Sequence, residues 1–190
     1  MGKKLSETAI VTGEVRFSYT HVFAPYAAQP GQEEKYSVCL LIPKTDTKTI
    51  KLIEDAVQSA TDEGQKSKWG GKTPKNLKLP LRDGDAEKDL DTNPEYKGMF
   101  FLNASSKRKP GIVDHRGNDI IDSDELKSGD YGKAHLNFYP FAVSVNNGIA
   151  VGLNDVMKSK DGESLGGTGL SADKAFEGEF TEGDDADDLI

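Results

Sequence analysis

The sequence is poor in the residues that most often carry chemistry: one cysteine, three histidines and one tryptophan among 190 residues. A single cysteine, Cys39, excludes an internal disulfide framework, and its place in a β-like run reads as a buried structural thiol. His21, His115 and His135 lie far apart and follow no ligand spacing, so no metal site, cofactor or catalytic histidine is expected. No apolar run approaches the roughly 18 residues of a membrane helix. The lysines of MGKKLSETAIV are followed by no apolar core segment, so a signal peptide is not expected either. There is no Walker-type phosphate loop and no nucleophile elbow. The acids of residues 83–95 also fail as a calcium loop. With Asp83 at position one, Lys88 falls where glycine is needed and Pro94 where glutamate is needed. These absences leave an enzyme without a supporting constellation and point to a non-enzymatic protein of a reducing cytoplasm.

The charge that is present is unevenly placed. The chain carries 24 basic and 32 acidic residues, a net −8. Residues 173–190 hold eight of the acids and one base, a net −7, so the body is nearly neutral. Within that body, GQKSKWGGKTPKNLKLPLR at 64–82 carries Lys66, Lys68, Lys72, Lys75, Lys78 and Arg82 with no acid, and the next stretch, 83–95, reverses the sign. Such asymmetry marks electrostatic partners.

The patterning is mostly that of strands. From Ala9 to Tyr19 the apolar residues fall at odd positions, with Ile10 the exception, which predicts a strand burying Val15, Phe17 and Tyr19. FAPYAAQPGQ reads as a loop, and KYSVCLLIP as an antiparallel partner with Tyr36, Val38, Leu40 and Ile42 on one side. After Pro43 the period changes to that of a helix, at about 46–64, capped by Thr45 or Asp46 and ending near Gly64. GMFFLNASS is a further strand, IVDHRGNDII a small hairpin, and residues 131–145 the longest strand. Asn146, Asn147 and Gly148 form a turn signal before IAVGL, and Pro140 points to an edge or a bulge. Five to seven strands around one helix suit a small barrel better than a sandwich. From Lys158 onward the chain has no core pattern and is expected to be disordered from about residue 170. The division is therefore a domain at 1–170 and an acidic tail at 171–190.

Single-stranded nucleic acid is held by cations on its phosphates and by aromatic faces on its bases. Both kinds of group occur close together here. Lys66, Lys68, Lys72, Lys75, Lys107, Arg108, Lys109 and Lys133 are the candidate phosphate contacts. Trp69, Tyr131, Tyr139 and Phe141 are the candidate stacking platforms. Each has a plainer reading. Along 135–145, Leu136 and Phe138 share one face while Tyr139 and Phe141 share the other, and only one face can meet DNA. Trp69, in polar and basic surroundings, is either an anchor into the core or a platform. The last residues, EGDDADDLI, join acids to an apolar tip. A docking tail uses both, so Asp184, Asp185, Asp187, Asp188, Leu189 and Ile190 are the candidate partner-binding residues. Such a tail can also compete with DNA for a basic groove.

The opening strand TGEVRFSYTHVF, the strand-to-helix junction YSVCLLIPK, and above all YGKAHLNFYPFAVSVNNGIAVGLNDVMKSKDGESLGG carry a resemblance. In that order, with the acidic tail, they resemble the phage-encoded single-stranded DNA-binding proteins with an OB-fold, formerly a family of unknown function in tailed phages. The tail departs from many such tails in ending Leu189–Ile190, without a terminal aromatic. The resemblance implies a mainly β protein, an OB-fold-like antiparallel barrel with one main α-helix. It also implies sequence-tolerant binding of single-stranded DNA in replication, recombination or repair, in the cytoplasm of a bacterial host. Weak duplex binding, recruitment of replication or recombination proteins through the tail, and a homodimer are open partner expectations. The competing reading is a β-rich phage interaction or assembly module whose tail binds a basic partner.

Overall fold

The computed structural model describes residues 1–165. The expected boundary at residue 170 and the acidic tail with its Leu189–Ile190 tip lie outside the described residues. The strands in chain order are β1 (Lys3–Lys4), β2 (Ala9–Val11), β3 (Val15–Tyr26), β4 (Lys35–Pro43), β5 (Arg82–Asp83), β6 (Met99–Ser106), β7 (Gly111–Val113), β8 (Tyr131–Val143) and β9 (Asn146–Lys160). The main helix, α1 (Thr47–Ser67), follows β4, and a single-turn helix, α2 (Gly84–Glu87), follows β5.

Five of these strands close a ring. β3 pairs with β4 and β4 with β6, both antiparallel. β6 meets β9 in parallel at Ser105 and Gly152. β9 returns antiparallel to β8, and β8 closes on β3 through Gly132–Val15 and Tyr131–Arg16. Two of the five seams are only one or two residue pairs long, so this is a barely closed five-stranded barrel of the OB type. Period-two alternation fills it: Phe17, Leu40, Leu102, Leu136, Phe138 and Val151 are buried together in its interior.

α1 covers one end of the barrel, packing on β8 with Ile53, Ala56 and Ala60 buried. Asp46 caps it, accepting from the Thr49 amide at 3.1 Å. The helix runs one turn past Gly64, the expected stop. Gly64 serves packing there, because a Cβ on it would lie 2.5 Å from the Trp69 ring.

Residues 83–95, whose acids read as a solvated loop, fold with Tyr96 into a cover instead. Asp83 caps α2, and the Lys44 ammonium lies 2.6 Å from Asp83 and 2.7 Å from Asp85. Lys44 holds both carboxyls below the ordinary value. The cover brings Tyr96 onto the outer face of β4 and β6, where Cys39, Leu41 and Phe101 form a second small core. Cys39 is buried as expected, and that burial pushes its thiol up to about 11.

Other expectations shift in register. The first strand is two strands, and in β2 it is Ile10 that is buried while Ala9 and Val11 are half-exposed. β3 runs on through FAPY to Tyr26, leaving the loop at 27–34. The β8–β9 turn is Ser144–Val145, not the Asn-Asn-Gly that follows it. Gly148 lies inside β9, where a Cβ would sit 2.5 Å from the Lys78 carbonyl oxygen. The Ile149 amide donates to that carbonyl at 2.9 Å, so this edge of β9 faces away from β8. Its partner Pro140 therefore directs its nitrogen away from β9, and no ladder bond is lost.

Candidate nucleic-acid interface

The alternation of β8 decides which of its faces is free. Gly132, Ala134, Leu136, Phe138 and Pro140 are buried. Tyr131, Lys133, His135, Asn137, Tyr139 and Phe141 point outward, and Tyr139 is 43% exposed. Four of the candidate residues therefore share one outer face of one strand.

Opposite the Asn137–Phe141 end of this face, β9 offers only small residues. Asn137 pairs with Gly152, Tyr139 with Ala150 and Phe141 with Gly148. The Phe141 ring lies over Gly148, 2.9 Å from where a Cβ would be. The result is a low floor along β9 flanked by aromatic and amide groups on the β8 side. The floor continues sideways in register. Gly152 faces Ser105 of β6, Ser105 faces Ser37 of β4, and Ser37 faces His21 of β3. With strands ~4.8 Å apart, this row of small side chains crosses ~19 Å of barrel surface.

The basic groups line the other edge of β9. The chain after α1 runs back along it, and the backbone of Lys78 brackets β9 with bonds to Asn147 and Ile149, both 2.9 Å. Lys66, Lys68, Lys72, Lys75 and Lys78 are exposed. No ion pair among the described residues involves any of them. Further along the same edge, Lys107, Arg108 and Lys109 form the turn between β6 and β7, whose strands meet β9 at Gly152 and Asp155. Lys78 faces Gly148, so the two basic groups are four or more residues apart along β9, on the order of 13 Å. Lys107 is tied to Glu33 at 2.8 Å, and the Lys109 ammonium lies 5.8 Å from the Phe23 ring.

Three candidates sit differently from the rest. Of the two roles open to Trp69, the geometry favours the anchor. Its ring is half-buried against the barrel core, wedged on Gly64, and its indole N–H donates to the Phe141 carbonyl at 3.4 Å. Tyr131 is about eight residues, ~26 Å, from Tyr139 along β8. Its ring already meets the Arg16 guanidinium at 5.5 Å and the Lys160 ammonium at 4.9 Å. Lys133 lies beside the α-amino group of Met1, whose pKa it lowers. Tyr131 and Lys133 thus share a face with Tyr139 and Phe141 but not a place.

The family model described as "Enterobacter phage Enc34, ssDNA-binding protein" matches residues 8–190. This chain belongs to that family. The resemblance read in the sequence is thereby shown. Protein p50 of Acyrthosiphon pisum secondary endosymbiont phage 1 is 28% identical over 178 residues, covering 88% of this chain and 92% of the relative. The solved structure of the single-stranded DNA-binding protein from bacteriophage Enc34 in complex with ssDNA matches with a TM-score of 0.73 at 26% identity, over 86% of this chain and 96% of that one. The single-stranded DNA-binding protein encoded by bacteriophage T7 matches with a TM-score of 0.59 at 15% identity, over 93% and 97% of the two chains, a likeness of fold alone.

In this family member, sequence reasoning passed over an aromatic group on β3. Tyr19, assigned to the buried side, is 60% exposed, because the β3–β4 pairing slips between Ser18 and His21. Beyond the slip His21 stacks on Tyr26, with centroids 4.1 Å apart and planes at 11°. In the structure the buried positions pass from odd at Val15 and Phe17 to even at Val22 across this bulge, a change that adjacent apolar Val22 and Phe23 hide in the sequence. Among the described residues no group of three or more His, Cys, Asp or Glu could hold a metal ion, and no helix is long and apolar enough to cross a membrane.

Proposed function

We propose that this protein binds single-stranded DNA with little sequence preference, as a non-enzymatic coat on DNA during phage replication, recombination or repair. The observation that carries the reading is the low floor of Ala150 and Gly152 on the outer barrel face, with Tyr139 and Phe141 on one side and, on the other, lysines that have no ion pair among the described residues. Bases stack on the two rings, and the floor lets them approach the sheet. Lys66, Lys68, Lys72 and Lys75 neutralise phosphates at one end, and Arg108 and Lys109 at the other. Trp69 contributes by holding the basic segment against β8. Family membership and the DNA complex of the Enc34 relative support this reading. The acidic tail, through Asp184, Asp185, Asp187, Asp188, Leu189 and Ile190, competes with DNA for the lysines and recruits replication or recombination proteins.

Anisotropy of labelled oligo-dT with the full chain, from low to high salt, tests it. Binding is expected to weaken with salt, log K falling by about 0.7 per phosphate contact. Neutralising Lys72 and Lys75 to Gln is expected to flatten that slope by about 1.4 in all. Ending the chain at residue 172 is expected to tighten binding. A full chain and a truncated chain that both ignore DNA at low salt overturn the proposal in favour of a protein-binding module.

A further inference from the structure

Tyr19 has a φ of +46°, in the middle of β3. Among the described residues the only other non-glycine with positive φ is Ser144, in the β8–β9 turn. A bulky residue in the left-handed region is strained, and such strain is informative where something else holds it in place. Here the bulge between Ser18 and His21 absorbs it. Regular alternation would put Tyr19 inside with Phe17. The bulge turns the ring out to solvent instead, at 60% exposure.

The ring stands at the rim of a cleft of about 870 Å³. One side is the outer face of β3, with Arg16, Ser18 and His21. Facing it are the cover, at Asn93 and Glu95, and the returning segment 163–165. The volume is within the range of small-ligand sites. The polar groups of the cleft disfavour a phosphate. The Arg16 guanidinium is engaged by the carbonyl oxygens of Gly129 at 3.0 Å and Glu163 at 2.7 Å, and the Glu95 side of the cleft brings an acid. What the cleft offers is an exposed ring beside hydroxyl and amide groups, which suits a flat, neutral heterocycle with polar edges. His21, on the cleft wall, also begins the row through Ser37, Ser105 and Gly152 to Asn137. A strand lying along that row reaches the cleft from the β8–β9 floor.

We propose that this cleft receives one unstacked nucleobase of the bound strand, with Tyr19 as the face on which it stacks. The inference rests on the single-strand binding proposed above. It adds a second aromatic station, on β3, beyond the His21 end of the ~19 Å row that starts at Asn137.

Cross-linking of the full chain to oligo-dT carrying 5-iododeoxyuridine, followed by peptide mass mapping, tests the station directly. An adduct on Tyr19, within tryptic peptide 17–35, is expected. Adducts confined to the peptide with Tyr139 and Phe141 overturn the cleft and leave the β8–β9 interface standing. Absence of any binding overturns the underlying reading as well. Two variants separate stacking from structure. Tyr19→Gly relaxes the backbone while removing the ring, so it is expected to keep or raise the melting temperature. The same variant is expected to weaken oligo-dT binding about tenfold, while Tyr19→Phe stays within about twofold of the parent. Unchanged affinity in Tyr19→Gly, or lost affinity that follows lost stability, overturns the proposal.

Discussion

Two outer faces of the same barrel are finished in opposite ways. On β4 and β6 the outward residues Cys39, Leu41 and Phe101 are apolar, and the cover seals them beneath Tyr96. Three of its acids are matched by cations beside it, Asp83 and Asp85 by Lys44 and Glu87 by Arg82 at 2.9 Å. On β8 and β9 the outward residues are rings over glycine and alanine, and Tyr139 stays 43% exposed. The neighbouring lysines are left unmatched among the described residues. A barrel surface that is apolar must be covered, and one that is flat, aromatic and rimmed by unpaired cations is available to a polyanion. The Tyr96 seal over one face, and the lysines without an ion pair among the described residues beside the other, separate the structural face from the candidate binding face.

The largest expected effect lies under the cover. Phe101→Ala empties a fully buried site and is expected to cost about 3–5 kcal/mol in denaturant unfolding. Oligo-dT affinity, measured where the variant is folded, is expected to stay near the parent value, and a large loss there would break the distinction between the faces. Tyr139→Ala tests the open face in the other sense. Stacking is worth about 1–3 kcal/mol per base, so affinity is expected to fall by that amount while the unfolding midpoint moves little. A midpoint that falls as far as in Phe101→Ala would make Tyr139 a structural residue.

The smallest effect is the response of the cover to acid. Lys44 holds Asp83 and Asp85 below their ordinary value of 3.8, so near that pH they bind fewer protons folded than unfolded. Their contribution is complete above about pH 4 and is lost as pH falls through the lowered folded values. Lys44→Met is expected to remove this dependence, so that melting temperatures of parent and variant converge on acidification below pH 4. A parent curve parallel to that of the variant throughout would assign no stabilising role to the pairing.

Much of the fold was legible because it is written at short range. The helix at about 46–64 showed in its period and in a cap at Thr45 or Asp46, and the two faces of β8 in the alternation along 135–145. Of the candidate residues, Tyr139 and Phe141 share the outer face of β8, and Trp69, within the basic segment, reaches the Phe141 carbonyl. Trp69 and Tyr131 were harder, because whether a ring is free depends on what else reaches it. Here that is Gly64 and the Phe141 carbonyl for one, Arg16 and Lys160 for the other, and most of these lie far off in sequence.

By itself, then, the sequence determined the strand and helix periods, the fate of Cys39, the basic segment and the sign of the tail, since each depends on residue types within a few positions of one another. Only the tertiary structure decided the closure of the ring through Ser105–Gly152, the folding of an acidic stretch into a cover, and the outward turn of Tyr19. The physical reason is the same in each case. Strand partners and bulges are selected by side chains that meet across the barrel, and a one-residue slip in pairing reverses which side of a strand is buried.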